Sequence, residues 1–316
     1  MLDNLIFSLN ATVPVFALML LGWILKRTGM LTPEFTAVAN RLTFQITLPA
    51  LLFTDLYAMD PAALLNGKFA AFCFLGSAAA IGTVWLGARL LVRDKSMVGS
   101  FVQASYRGSV ALLGVALITN IYGDAGMMPL TIVAAVPLYN VMAVVVLTLE
   151  ARGGGRLTAA KLRDAGLNIL KNPLILAILL SLPFSLLHIT LPTMLDKTLR
   201  SLGSLAAPLA LLAIGAGFEL GDARQRRRLT ISASLLKLVI QPLVLVPLAV
   251  LFGFRGEELM SIAILTASPT TASSYIMAQQ MDNDGPMAIG PIVVTTLAAP
   301  FTITALVFTL RTLGLM

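Results

Sequence analysis

Ten long apolar runs, most of them about 20–25 residues, constrain this chain more than any other feature of its 316 residues. A helix of that length spans the hydrocarbon of a bilayer, whereas a soluble domain carrying so many runs would leave most of them facing water. Charge agrees: 12% of the residues are Asp, Glu, Lys or Arg and 58% are hydrophobic, with mean hydropathy +0.90. Soluble domains carry about 25% charged residues. The runs predict spans near 5–25, 37–58, 68–92, 97–120, 127–149, 172–190, 200–219, 230–253, 257–280 and 287–311. The first run is too long for a signal-peptide core and is preceded by Asp3 rather than a basic cluster, so it reads as a span.

Connections between spans are short. The longest, residues 151–171, contains Gly153-Gly154-Gly155 and divides the chain into residues 1–150 and 172–316. Each half holds five spans. An odd number per half means that homologous halves would enter the membrane in opposite senses, the inverted-repeat plan of many secondary transporters. Mid-span prolines fit that plan, with Pro49 in the second span of one half and Pro208 in the second span of the other. Lys26, Arg27, Arg41, Arg89, Arg93, Lys95, Arg152, Arg156, Lys161, Arg163, Lys171, Arg224, Arg226, Arg227 and Arg228 fall on one side of the membrane. Lys68, Lys197, Arg200, Arg255 and Arg311 fall on the other. The first side is therefore expected in the cytoplasm of a cell whose plasma (inner) membrane holds the protein, with both termini outside. The net charge of +7 is accounted for by these anchors, and no nucleic-acid partner is implied. The single Cys73 excludes an intramolecular disulfide.

Two spans are interrupted. Span 4 carries Gln103-Ala104-Ser105-Tyr106-Arg107-Gly108-Ser109, with Arg107 near mid-membrane. A cation there costs about 2.5–3.5 kcal/mol on insertion scales and normally faces a polar cavity or a partner. Span 9 carries Thr266-Ala267-Ser268-Pro269-Thr270-Thr271-Ala272-Ser273-Ser274-Tyr275. Pro269 removes a backbone donor, and Ser268 is a good N-cap, so a fresh half-helix is expected to begin there. Half-helix N-termini, the Arg107 fork and the hydroxyls of Ser105, Ser109, Thr266, Ser268, Thr270, Thr271, Ser273 and Ser274 together would attract an anion. Arg107 as a mere structural pin is the competing reading. Tyr106, Tyr139, Tyr275 and Asn140 add deep polar groups, as do Asn40, Thr43, Gln45 and Thr47 along span 2. No Asp or Glu lies near the middle of a span, which favours potential-driven anion movement, although Na⁺ or H⁺ coupling stays open. Lone His188 offers no metal-ligand spacing, and Asp282-Asn283-Asp284-Gly285 lacks the later ligands of a calcium loop. No cofactor, metal or enzymatic machinery is expected.

Several ordered segments carry a resemblance. Ser105-Tyr106-Arg107-Gly108-Ser109 with Leu113-Gly114, Pro137-Leu138-Tyr139-Asn140, Lys171-Asn172-Pro173-Leu174, Ser268-Pro269 and Thr295-Thr296 resemble the auxin efflux carrier family, whose bacterial branch includes malonate and malate permeases. The resemblance covers essentially the whole chain. It implies a ten-helix inverted repeat similar to the bile acid/sodium symporter fold, with a scaffold domain, an elevator-like transport domain, and spans 4 and 9 crossing at the substrate site. Many members carry Asn where this chain has Ser109, and the chain has no large central loop, so auxin itself is not implied.

Together these readings predict an all-α polytopic membrane carrier for small organic anions such as mono- or dicarboxylates. Its substrate would be held by Ser105, Tyr106, Arg107, Gly108, Ser109, Asn140, Ser268, Pro269, Thr270, Thr271, Ser273 and Tyr275. Pro49, Pro208 and Pro269 would act as structural breaks. A carrier for neutral or amphipathic solutes is the alternative within transport, and an anion channel the alternative outside it. A homodimer in the bilayer is compatible with all three.

Overall fold

The computed structural model describes residues 2–58, 67–110, 114–122, 126–151, 166–167, 169–218 and 226–316. Leu113, the Gly153–Gly155 linker with Arg152, Arg156, Lys161 and Arg163, and Arg224 lie outside the described residues. The fold is all-helical. Five helical stretches among the described residues are long and apolar enough to cross a membrane: Gly67–Leu91, Met128–Glu150, Thr193–Gly217, Arg227–Leu251 and Gly285–Thr312. Three of them expose large apolar side chains, as lipid contact requires. Leu75, Leu86 and Leu90 are exposed on the first, Leu243, Val244 and Leu251 on the fourth, and Leu297, Phe301 and Phe308 on the last.

In chain order the elements are α1 (Leu2–Arg27), α2 (Pro33–Leu42), α3 (Leu48–Tyr57), α4 (Gly67–Leu91), α5 (Val98–Tyr106), α6 (Val115–Tyr122) and α7 (Met128–Glu150). They continue as α8 (Pro173–Leu186), α9 (Thr193–Ser204), α10 (Ala206–Gly217), α11 (Arg227–Leu235), α12 (Gln241–Leu251), α13 (Gly256–Ala267), α14 (Ser273–Gln280) and α15 (Gly285–Thr312). Two π-helical turns, Thr43–Thr47 and Leu236–Ile240, join α2 to α3 and α11 to α12. Each turn stands just before a proline, Pro49 or Pro242. A proline ring collides with the carbonyl four residues back, and a wider turn there keeps the axis continuous. Leu48 N–H reaches Thr43 O and Gln241 N–H reaches Leu236 O, so the backbone remains bonded through both. Pro208 stands third in α10, where its missing N–H would have had no helical partner.

Packing divides the helices into two groups. In the first, α1 lies along α10, and α3 lies between α8 and α9. In the second, α4 packs on α5 and α7, α12 on α13, and α15 on α5, α11, α13 and α14. The seam between the groups is formed by α1 on α15, α10 on α14 and α7 on α8. Without bulk hydrophobic driving force between helices in lipid, close backbone approach carries association. Gly22 and Gly215 provide it: a Cβ on Gly22 would meet the backbone of Leu212, and one on Gly215 would meet the backbone of Met19.

The predicted basic side also forms one end of the bundle. Buried Glu150 accepts from Trp85 Nε1 (2.7 Å) and pairs with Arg89 (3.0 Å). Arg226 pairs with Asp284 (2.9 Å), whose N–H approaches Ser96 O, and Asn283 Nδ2 donates to Leu147 O. In the turn after α4, the Ser96 hydroxyl and N–H hold the Asp94 carboxyl below the ordinary carboxylate range. At the opposite end Lys68 donates to Phe252 O, and Gly256 N–H to Leu315 O.

The α1–α10 contact gives a direct test. Gly215→Leu forces apart backbones that now touch, and is expected to lower stability by about 1–3 kcal/mol. The loss should appear as a reduced unfolding midpoint in detergent, whereas Gly82→Leu, which faces open space, should leave it nearly unchanged.

Candidate functional site

Helix α5 ends at Tyr106 and α13 at Ala267, and the residues that follow each of them meet. Gly108 and Thr270 form an antiparallel β-bridge, with Ser109 N–H donating to Pro269 O at 2.8 Å. Thr270 Oγ1 donates to Ala104 O (2.7 Å), and Thr270 N–H donates to Thr295 Oγ1 (3.0 Å) on α15. Buried backbone has to be bonded, and here two non-helical stretches bond each other. Gly108 has to be glycine for this approach, since a Cβ would strike the Ser268 hydroxyl and come within 3.0 Å of Lys237 Nζ.

The break after α13 differs from the sequence expectation. Ser268 is extended (φ −64°, ψ 144°) and caps the C-terminus of α13, and the next helix starts at Ser273 rather than at Pro269. Pro269 drives Ser268 out of the helical region, as prolines do to the residue before them. The bridge then takes up Pro269 O as acceptor, and Thr295 Oγ1 takes the Thr270 N–H, so the helix does not restart at once. As a result α14 begins without a side-chain cap, and Thr271, Ala272 and Ser273 ahead of its positive end are partly exposed.

Arg107 is buried, with 7% of its surface exposed. Its guanidinium donates to Gln103 Oε1 (3.2 Å) and to Asn140 Oδ1, and touches Met277 Sδ. Asn140 is held by its own Nδ2 donating to Val136 O (3.1 Å). All three partners are neutral, and among the described residues no carboxylate lies within ion-pair distance of Arg107.

The candidate residues sort by exposure. Gly108, Ser109, Thr271 and Ser273 are partly exposed at the crossing, and the Thr271 and Ser273 hydroxyls lie 3.2 Å apart. Ser105, Tyr106, Asn140, Ser268, Pro269, Thr270 and Tyr275 are buried. Ser105 donates to Phe101 O, Tyr106 to Tyr139 O, and Ser268 to Leu265 O. The Tyr106 and Tyr139 rings pack at 5.5 Å, and Tyr275 stands against Gly217 across the seam between the two groups. Thr43 and Thr47 are buried and bond their own helix carbonyls, whereas Gln45 is exposed and accepts from Arg41 away from the crossing.

Two residues that sequence reading passed over belong to this centre. Lys237, in the second π turn, is fully buried, and its Nζ donates to Thr266 O (3.0 Å) and lies 3.4 Å from Leu265 O. Gln241, one turn later, donates to Ser105 O at 2.9 Å. One stretch of α11–α12 thus caps the C-terminal carbonyls of both α13 and α5. The available signal was a lysine inside the predicted span 230–253, with an amide four residues on.

Such a bundle, with lipid-compatible faces and bonded non-helical backbone at its centre, defines a multi-pass helical membrane protein. The chain belongs to the membrane transport protein family, the family of auxin efflux carriers, whose profile matches residues 7–307. It is similar to an "Uncharacterized transporter" of Methanothermobacter thermautotrophicus, at 26% identity over 297 residues covering 92% of this chain and 94% of that protein. It is also similar to a protein of Rhizobium meliloti named "Putative malonate transporter", at 24% identity over 307 residues covering 95% and 94%. The protein is a transporter and not an enzyme.

The bridge predicts a cost for losing one hydroxyl. Thr270→Val keeps the shape but leaves Ala104 O without its donor, and should lower stability by about 1–3 kcal/mol. Thermal unfolding of the purified variant beside Thr302→Val, whose hydroxyl bonds within its own helix, measures it.

Proposed function

We propose that this protein is a secondary carrier for small organic anions, with mono- and dicarboxylates such as malonate as the substrate class. The observation that carries the reading is the pair of buried cations, Arg107 and Lys237, at a crossing where no described carboxylate opposes them. Buried charge is tolerated when something compensates it, and an anionic substrate would do so. The uncapped start of α14 and the hydroxyls of Ser109, Thr271 and Ser273 offer further donors on the accessible side. A relative whose name refers to malonate supports the same class.

In this reading α5–α6 and α13–α14 are each one interrupted span, giving ten spans in a 5+5 inverted repeat about residues 151–171. The packing groups support it. Spans 1, 2, 6 and 7 form the first group and the remaining six the second, so the division falls at the same place in each half. The first group would be the scaffold and the second the moving transport domain, with the basic end in the cytoplasm and both termini outside the plasma membrane.

Arg107 has three neutral partners of its own, which favours the competing reading of a structural pin in a carrier of neutral or amphipathic solutes. Uptake and counterflow of labelled carboxylates in proteoliposomes separates the two. The expected result is saturable malonate uptake with counterflow, which a channel would not give. Uptake should fall about 10–100-fold in Arg107→Ala, the worth of one or two hydrogen bonds to a charged group. Pro269→Ala should insert but transport slowly. Unimpaired carboxylate uptake by Arg107→Ala would move the assignment to the neutral-solute carrier.

A further inference from the structure

Lys237 does more than cap a helix. Its Nζ sits against Leu265 O and Thr266 O, the last-turn carbonyls of α13, with Ser268 and Gly108 closing the other side. These carbonyls have no helical partner and carry the negative end of the α13 dipole. In secondary transporters with interrupted helices, unwound carbonyls and helix C-termini of this kind coordinate the coupling cation. A cap alone does not call for a charge, because Gln241 caps the matching end of α5 with a neutral amide. No described carboxylate pairs with the Lys237 ammonium, so its charge is directed at those carbonyls and at whatever occupies the crossing.

We infer that the Lys237 ammonium is a tethered cation occupying the position of a coupling ion, so that this carrier works without bound Na⁺. The inference rests on the crossing being the transport site, as proposed above. It also specifies a latent site: with the ammonium removed and space left, Leu265 O, Thr266 O and the Ser268 hydroxyl become oxygen ligands of the type that hold Na⁺.

The test compares the wild type, Lys237→Ser, which opens the space and adds a hydroxyl, and Lys237→Met, which fills it without charge. Unfolding midpoints of the purified proteins are measured in NaCl and in choline chloride at equal ionic strength. The wild-type midpoint should be the same in both salts. Lys237→Ser should be lower by several degrees in choline and recover saturably as Na⁺ replaces it, as a ligand that binds the native state requires. Lys237→Met should be lowered equally in both. A Lys237→Ser midpoint indifferent to Na⁺, or a saturable Na⁺ shift in the wild type, overturns the inference. If Lys237→Ser folds in neither salt, the wild type decides: a flat response supports the inference and a saturable one ends it. Malonate uptake in proteoliposomes at fixed potential forms the second arm. The wild-type rate should survive Na⁺ removal, and a rate lost without Na⁺ overturns the inference. If the wild type takes up no carboxylate in either salt, the substrate reading fails, and the midpoints still decide on Lys237.

Discussion

The bridge between Gly108 and Thr270 is the contact on which the centre of this protein depends. Backbone that leaves the helix at membrane depth has no water to bond, and each orphaned group costs several kcal/mol. Two stretches that leave the helix can satisfy each other if their backbones come close enough, which here needs a glycine on one side and a proline-extended strand on the other. The groups the bridge does not reach are taken up by side chains: Thr270 serves Ala104 O, Thr295 serves Thr270 N–H, Gln241 serves Ser105 O, and Lys237 serves Thr266 O. The π turn before Pro242 belongs to the same arrangement, since it carries Lys237 and stands directly before Gln241.

This solution leaves a surplus of positive charge. Three of the four capping side chains are neutral, and one is an ammonium. Arg107 adds a second cation whose acceptors are an amide, another amide and a thioether sulfur. A fold built for stability alone would set a carboxylate beside such groups, as it does for Arg226 with Asp284 and Arg89 with Glu150 at the bundle end. Cations paired with carboxylates at the end contrast with central ones that no described carboxylate opposes, and the proposed anionic substrate would answer that central charge.

Much of this was legible in the sequence, and the residues show why the rest was not. Run length marked the membrane helices, and the depth of Arg107 marked it for burial, because both follow from the cost of polarity in hydrocarbon. Pro269 marked a break, but the place where the next helix starts depends on the partner strand that claims Thr270, which no local rule contains. Ser268 therefore read as an N-cap and serves as a C-cap. Lys237 was hidden for a related reason. A lysine a few residues inside a span resembles one reaching for the interface, and only the approach of α13 turns its ammonium inward. Gln45 erred in the other direction, since its polarity suggested the site while the register of α2 and the π turn leaves it on the outer face with Arg41.

The same bonding bears on how the proposed carrier would move. Arg107, Gly108, Ser109, Ser268 and Thr270 find their partners on α5, α7, α13, α14, α15 and the π turn before α12, all in the second packing group. None of these bonds crosses to α1, α3, α8, α9 or α10. A rocking motion that opened the crossing itself would have to break the bridge and strand several backbone groups in hydrocarbon. Sliding the second group past the first would leave every one of those bonds intact. What would shift is the seam, where apolar packing is joined by Tyr275 standing against Gly217 beside Asn40 and by Asn172 Nδ2 reaching Met281 Sδ (3.7 Å). Contacts of that kind can be exchanged for similar ones at another depth, whereas the bonds of the crossing cannot, and this asymmetry favours an elevator over a hinge.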